Sequence, residues 1–264
     1  MRAERLPSLR RVLRDHRRAF WIWGAALAAI TVFYMSFWPT MGEAMQEAIR
    51  GMPEGLMAAM GYDRMDTAIG YLNAVAYALL GPILLLVYGL SLAVRLTAGQ
   101  EEDGTLELDL ASPVPRARLY WERLAGVWLL LLGLVVLVSL GVLVSNPLFD
   151  LGVTLPNLVA AGLGLWLLVG GFATFAFALG AASGRRGVAL GVAAGVAVIA
   201  YVFRGVANAA GVEIYGDLSP FSWYLEPDPL ANGFHLPSTL QLLAISLIAA
   251  PFGLWRFLRR DLLV

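Results

Sequence analysis

The sequence contains no cysteine and no lysine, and it has only two histidines. Without cysteine there is no disulfide and no thiolate nucleophile. Without lysine the chain cannot form a P-loop nucleotide site or a Schiff base. His16 and His235 fall on opposite sides of the membrane in the topology predicted below, so we expect no histidine-based metal site within one chain. We therefore expect no catalytic residues and no metal ligands in this chain.

Charge is also scarce, since 14% of the residues are charged and 59% are hydrophobic. Six apolar runs are each long enough to cross a bilayer as a helix. They cover about residues 19–38, 71–96, 124–146, 158–183, 187–203 and 240–257. The sequence predicts an all-α polytopic membrane protein, with residues 1–264 forming one transmembrane domain. Residues 39–70 and 204–237 are its outer loops.

The arginines are distributed very unevenly along this predicted topology. Sixteen of the nineteen lie on one side of the membrane if both termini share that side, and Arg50, Arg64 and Arg204 lie on the other. The positive-inside rule therefore places both termini in the cytoplasm. The alternative of a cleaved signal peptide, with a site near residues 26–28, fits less well because Trp21 and Trp23 suit an interfacial anchor.

Residues 1–18 are predicted to form an interfacial helix. Leu9, Val12, Leu13, His16 and Phe20 recur at spacings of three and four, whereas arginines occupy the other face. Such a basic amphipathic helix lies in the headgroup region of a membrane. A charge cluster that only sets topology would explain the arginines but not the apolar stripe.

No Asp, Glu or Arg lies in the middle of any predicted span. Ion-coupled transporters commonly use ionisable groups within the membrane. A secondary transporter is therefore disfavoured, and any transport would draw its energy from a partner.

The cytoplasmic loop 98–123 is short and strongly charged. It reads "AGQEEDGTLELDLASPVPRARLYWER", with acidic residues first and prolines at 113 and 115 that end any helix. We expect a helix over residues 101–111 that begins at the acidic residues and places Leu106 and Leu110 on one face. The same stretch also alternates as a strand would, but no second strand is available to pair with it.

This loop resembles the cytoplasmic signature of type-2 ATP-binding-cassette (ABC) permeases. The matching residues are Glu102, Gly104, Thr105, Leu106, Glu107, Pro113, Val114 and Arg116. Asp109 departs from the pattern, which more often has an apolar residue there. The leader, the six spans, the long first outer loop and "SPFSWY" at residues 219–224 extend the resemblance over the whole chain.

The resemblance implies that this is a coupling loop, whose coupling helix docks on a separate cytoplasmic ABC ATPase. It implies a bacterial plasma-membrane exporter with two ATPase copies and a second permease chain, identical or different. The substrate would pass between the permeases along spans two and five. ATP and Mg²⁺ are expected in the ATPase, no cofactor in this chain, and no nucleic-acid partner. The implied docking residues are Glu101, Glu102, Gly104, Thr105, Leu106, Glu107, Leu110 and Arg116.

Span five carries a ridge of glycines, at Gly187, Gly191 and Gly195. Glycine at every fourth residue permits close approach of another helix. The partner helix is either within the subunit or in a second permease.

Six of the eight methionines lie between residues 41 and 65. Thioethers can bind copper(I), but adaptable apolar packing is the commoner use of methionine, and we favour it here. The outer residues 207–235 are expected to form short or re-entrant helices.

Two functions of other classes stay open at this point. One is a membrane anchor or scaffold that recruits a cytoplasmic protein without transport. The other is an intramembrane enzyme, which the missing lysine and cysteine disfavour.

Overall fold

The computed structural model of the chain describes residues 6–40, 67–104, 115–209 and 218–260. All regular secondary structure in these ranges is helical. In chain order the helices are α1 (Pro7–Asp15), α2 (Arg17–Met35), α3 (Ala68–Glu102), α4 (Arg116–Leu148), α5 (Leu155–Ser183), α6 (Arg186–Ala209), α7 (Pro220–Leu225), α8 (Pro229–Asn232) and α9 (Leu236–Arg259).

Six of these helices are long and apolar enough to cross a membrane, namely α2, α3, α4, α5, α6 and α9. The predicted fold class, an all-α membrane protein with six spans, is confirmed. Helix α3 is longer than its apolar run because it continues through the charged residues Glu101 and Glu102. Its hydrogen bonding changes to the wider π pattern at Asn73–Leu80 and at Arg95–Gly99.

Helix α5 is the centre of the bundle and is the most buried of the six spans. Its small residues let neighbouring helices approach closely, as is usual in membrane bundles. Gly170 faces the indole of Trp128, and Gly180 faces Thr97. Gly171 faces Ile245, whose Cβ would lie 3.4 Å from a Cβ added at the glycine. Three glycines of one helix therefore receive side chains from three others, α4, α3 and α9.

A two-residue turn, Gly184 and Arg185, joins α5 to α6. Gly184 ends α5 with φ of 64°, a left-handed conformation that glycine adopts without steric cost. Its N–H donates to the Gly180 carbonyl at 2.9 Å, which satisfies one of the last carbonyls of α5. Spans four and five are consequently antiparallel neighbours.

Short helices α7 and α8 cover the end of the bundle where α5 begins. Asn157 donates to the carbonyls of Leu230 and Ala231 at 2.9 and 3.0 Å, and Ser219 caps α7 through the N–H of Phe221. Tyr224 is 2% exposed. Burial first, and then the nearby hydroxyl of Tyr77, raises the pKa of Tyr224 well above its ordinary value. Its side chain is therefore a neutral part of this cover.

Candidate functional site

The coupling loop leaves the bundle at a sharp helix end. Glu101 and Glu102 form the last turn of α3, and Gly104 follows with φ of 68°. The Gly104 N–H donates to the Glu101 carbonyl at 3.1 Å, as at many helix ends that use a left-handed glycine. This corrects the expectation that Glu101 begins the coupling helix. The acidic residues end one helix and do not start the next.

The loop returns to the bundle at Pro115, which precedes the first residue of α4. Arg116 is exposed there. Four predicted docking residues lie between these two points, outside the residues that the structure describes: Thr105, Leu106, Glu107 and Leu110. Their docking role stays a prediction.

Glu101 forms an ion pair with Arg260, the residue that follows α9. The two side chains are largely buried, at 5% exposed for Glu101 and 16% for Arg260. Gly184 packs directly against them, since a Cβ added there would overlap the Arg260 guanidinium and lie 2.8 Å from a Glu101 carboxylate oxygen. The end of α3, the α5–α6 turn and the end of α9 therefore meet at one ion pair.

Glu102 contacts the beginning of α6. Its carboxylate accepts the backbone N–H of Arg186 at 2.8 Å, with both residues exposed. Arg186 is the first residue of that helix, where backbone N–H groups lack partners and the helix dipole favours negative charge. The acidic pair thus makes contacts within its own chain.

Glu122 and Arg123 lie near the other end of the coupling loop, and each is only 4% exposed. Glu122 accepts the N–H groups of Ser8 and Leu9 at 2.9 and 3.2 Å and pairs with Arg118 at 2.7 Å. It therefore caps the first turn of α1. Sequence reasoning gave Glu122 no role, although a carboxylate four residues after an arginine in a mostly apolar helix is an informative signal.

Arg123 donates from Nη1 to the Leu96 carbonyl at 3.0 Å, within the second π segment of α3. A buried guanidinium is tolerated only when such acceptors satisfy it. The ends of α3 and α4 that flank the coupling loop are consequently tied together by a buried arginine.

Helix α1 packs on α4 as well as being capped by it. Val12 is 5% exposed and faces Gly126, where an added Cβ would lie 2.7 Å from Val12 Cγ1. Arg10, Arg11 and Arg14 are exposed. Val12, Leu13 and Phe20 of the predicted apolar stripe therefore pack against protein, and the position of α1 in the headgroup region stays a prediction.

The glycine ridge of α6 faces away from the described part of this chain. A Cβ added at Gly187, Gly191 or Gly195 would have no atom within 4 Å. The other face of α6 packs inward through Ala189, Ala193 and Ala197. Packing of the ridge inside the described bundle is thereby excluded, and its partner stays a prediction.

The methionine-rich segment lies within residues 41–66, which the structure does not describe. Apolar packing and copper(I) binding there both stay untested.

The chain matches the model of one known protein family. The model of the family described as "ABC-2 family transporter protein" matches residues 8–262, which is nearly the whole chain. A search of curated proteins finds no match. The family match includes both ends of the coupling loop and all six apolar helices. The chain therefore belongs to the ABC-2 transporter family and is the membrane-spanning permease component of an ABC transporter.

Proposed function

We propose that this chain is the permease subunit of an ABC exporter in the bacterial plasma membrane, acting as a dimer and driven by a separate cytoplasmic ATPase. The observation that carries the proposal is the family match over residues 8–262, together with six apolar helices. The missing lysine supports a separate motor, since a P-loop requires one. In this proposal ATP and Mg²⁺ bind in two ATPase copies.

The docking surface for the ATPase is the part of the coupling loop between Gly104 and Arg116. The ends of α3 and α4 that flank it are joined by the hydrogen bond from Arg123 to the Leu96 carbonyl. Leu106 and Leu110 lie one helical turn apart and would present an apolar face to a groove on the ATPase. The carboxylates of Glu101 and Glu102 are engaged within the chain, so the docking contacts come from the residues after Gly104.

The orientation with both termini in the cytoplasm is supported by the arginines at the coupling-loop end of the bundle. Arg10, Arg14, Arg116, Arg185 and Arg259 are all exposed there. Exposed arginines next to membrane spans favour the cytoplasmic side. The coupling loop then faces the compartment that contains ATP.

The second permease chain packs on the glycine ridge of α6. This helix is the least buried of the six spans, and its glycines have open space within the described chain. A ridge of this kind gains stability when another helix packs closely on it.

The substrate class that fits best is amphiphilic or apolar. No acidic or basic residue lies in the middle of a predicted span, so the sequence provides no charged group at that depth for an ionic substrate. Export, rather than import, follows from the resemblance of the coupling loop to exporter permeases.

The test is affinity purification of the tagged chain from mild detergent, followed by identification of copurifying proteins and measurement of ATP hydrolysis. We expect an ABC ATPase with the parent chain. Leu106→Asp should abolish this association because a charge would enter an apolar groove. Leu108→Asp is the matched control, since residue 108 lies on the opposite face of a helix.

Two outcomes would overturn the proposal. One is that no ATPase copurifies with the parent chain. The other is that an ATPase copurifies, but vesicles containing the complex show no substrate-stimulated ATP hydrolysis and no transport. That result would indicate a scaffold. Equal association of both aspartate variants would instead remove the predicted docking face.

A further inference from the structure

Two consecutive glutamates connect the start of the coupling loop to the ends of two other spans. Glu101 pairs with Arg260 after α9, and Glu102 accepts the first N–H of α6 at 2.8 Å. The next carboxylate, Asp103, is exposed and makes no hydrogen bond or ion pair from its side chain within the described ranges. The contacts are therefore specific to two of the three adjacent acidic residues.

At this junction, each carboxylate at the end of α3 faces positive charge from another part of the chain. The carboxylates lie in the last turn of α3, where the helix dipole is negative and acidic side chains are unfavourable. They persist there because the guanidinium of Arg260 faces one, and the positive N-terminal end of α6 faces the other. Glu101 is thus paired with Arg260 after α9, and Glu102 with the first N–H of α6.

The junction is also tightly packed on one side. Gly184 has no room for a side chain because the Glu101–Arg260 pair occupies the space beside it. The turn that begins α6 therefore cannot shift toward the end of α3 without displacing this buried ion pair. A displacement of the end of α3 toward the turn must therefore move the turn or break the ion pair.

Helix α6 is held less firmly elsewhere than the other spans. It is the least buried of the six, and its inward face consists mainly of alanines at positions 189, 193 and 197. Alanine contacts contribute less packing energy than larger apolar side chains. The hydrogen bond at its first residue adds to the packing of α6 on α3 and helps to fix its position there.

We propose that Glu101 and Glu102 are positioning residues that transmit movement of the coupling loop to α6, the fifth span. Through its hydrogen bond, Glu102 couples the end of α3 to the N-terminus of α6. The Glu101–Arg260 pair holds the α5–α6 turn and the end of α9 against α3. This inference rests on the proposed function, because it assumes that an ATPase moves the coupling loop. It assigns these two residues to transmission within the permease and not to contact with the ATPase.

The experiment uses the intact complex and two spin labels on introduced cysteines. The sequence has no cysteine, and Val192 on α6 and Leu129 on α4 are exposed positions for labelling. Pulsed dipolar spectroscopy measures the label separation with and without ATP and vanadate. The parent complex should show an ATP-dependent change in this distance.

Glu102→Ala should abolish that change while ATPase copurification and ATP hydrolysis remain. Asp103→Ala is the matched control and should behave as the parent. Glu101→Arg and Arg260→Glu should each weaken the change, and the double variant should restore it because the charges are exchanged.

The outcomes separate this inference from the proposed function. Failure of the parent chain to bind an ATPase removes the proposed function itself. Loss of ATPase binding in Glu102→Ala, at normal protein levels, would make Glu102 a docking residue and would overturn the inference. An unchanged ATP-dependent distance in Glu102→Ala would overturn it as well.

Discussion

The packing of α9 against α4 and α5 gives the sharpest stability prediction. A Cβ added at Gly253 of α9 would lie 2.5 Å from the Tyr120 hydroxyl, 2.6 Å from Ala178 Cβ and 2.7 Å from Ala178 Cα. Tyr120 is 2% exposed, and its hydroxyl donates to the Ala250 carbonyl at 2.8 Å. Ala178 Cα belongs to the backbone and cannot rotate away. Gly253→Ala must therefore move α9 away from α5, because displacing the tyrosine alone leaves the overlap with Ala178.

The magnitude follows from three terms. Overpacking of a well-filled site costs about 1–3 kcal/mol, and a disturbed Tyr120–Ala250 hydrogen bond adds about 1 kcal/mol. Replacing glycine by alanine in a helix offsets about 1 kcal/mol. We expect Gly253→Ala to destabilise the fold by about 2 kcal/mol. Gly191→Ala is the matched control for the chain purified as a monomer, because no atom of the described residues lies within 4 Å of a Cβ added at Gly191 and the helix-propensity gain should stand alone.

The assay compares apparent unfolding midpoints of the purified variants in one detergent. Gly253→Ala should unfold at a lower temperature than the parent, and Gly191→Ala at the same or a higher one. Adding Tyr120→Phe to Gly253→Ala removes the nearest atom, so the two changes should be less than additive. A Gly253→Ala protein as stable as Gly191→Ala would refute the described crossing of α4, α5 and α9.

Three further predictions concern other parts of the molecule. Glu122→Ala removes the cap of α1 and should cost about 1–2 kcal/mol; limited trypsin digestion should then cleave the leader faster, and unchanged cleavage would contradict the capping role. Gly191→Leu should abolish association with a second permease, measured by crosslinking, while the monomer stays folded; intact association would mean that the ridge faces lipid. A cysteine at Glu47 should react with an impermeant maleimide in intact spheroplasts, and labelling only after permeabilisation would reverse the topology.

Several features of the fold could be predicted from the sequence because they depend on local composition. The six spans follow from long apolar runs. The α5–α6 turn follows from Arg185 and Arg186, which separate the fourth run from the fifth. These signals need no knowledge of which helices are neighbours. The number of spans and the fold class can therefore be predicted without knowledge of the packing.

The contacts of the acidic residues could not be predicted in the same way. Glu101 was expected at a helix start because acidic residues favour that position. Its actual partner, Arg260, is far away in sequence, and the tertiary contact outweighs the local preference. The same holds for Glu122, whose partners Ser8 and Leu9 belong to the leader. Local rules fail where a charge is satisfied by a distant helix.

Docking of a cytoplasmic ATPase on the coupling loop can be tested by site-specific crosslinking. In this cysteine-free chain, a single cysteine at Leu106 can carry a photoactivatable crosslinker, with a cysteine at Glu47 as the control on the opposite side. We expect a covalent product with the copurifying ATPase from position 106 and none from position 47. A complex that copurifies but crosslinks from position 47, or gives no product from position 106, would contradict it.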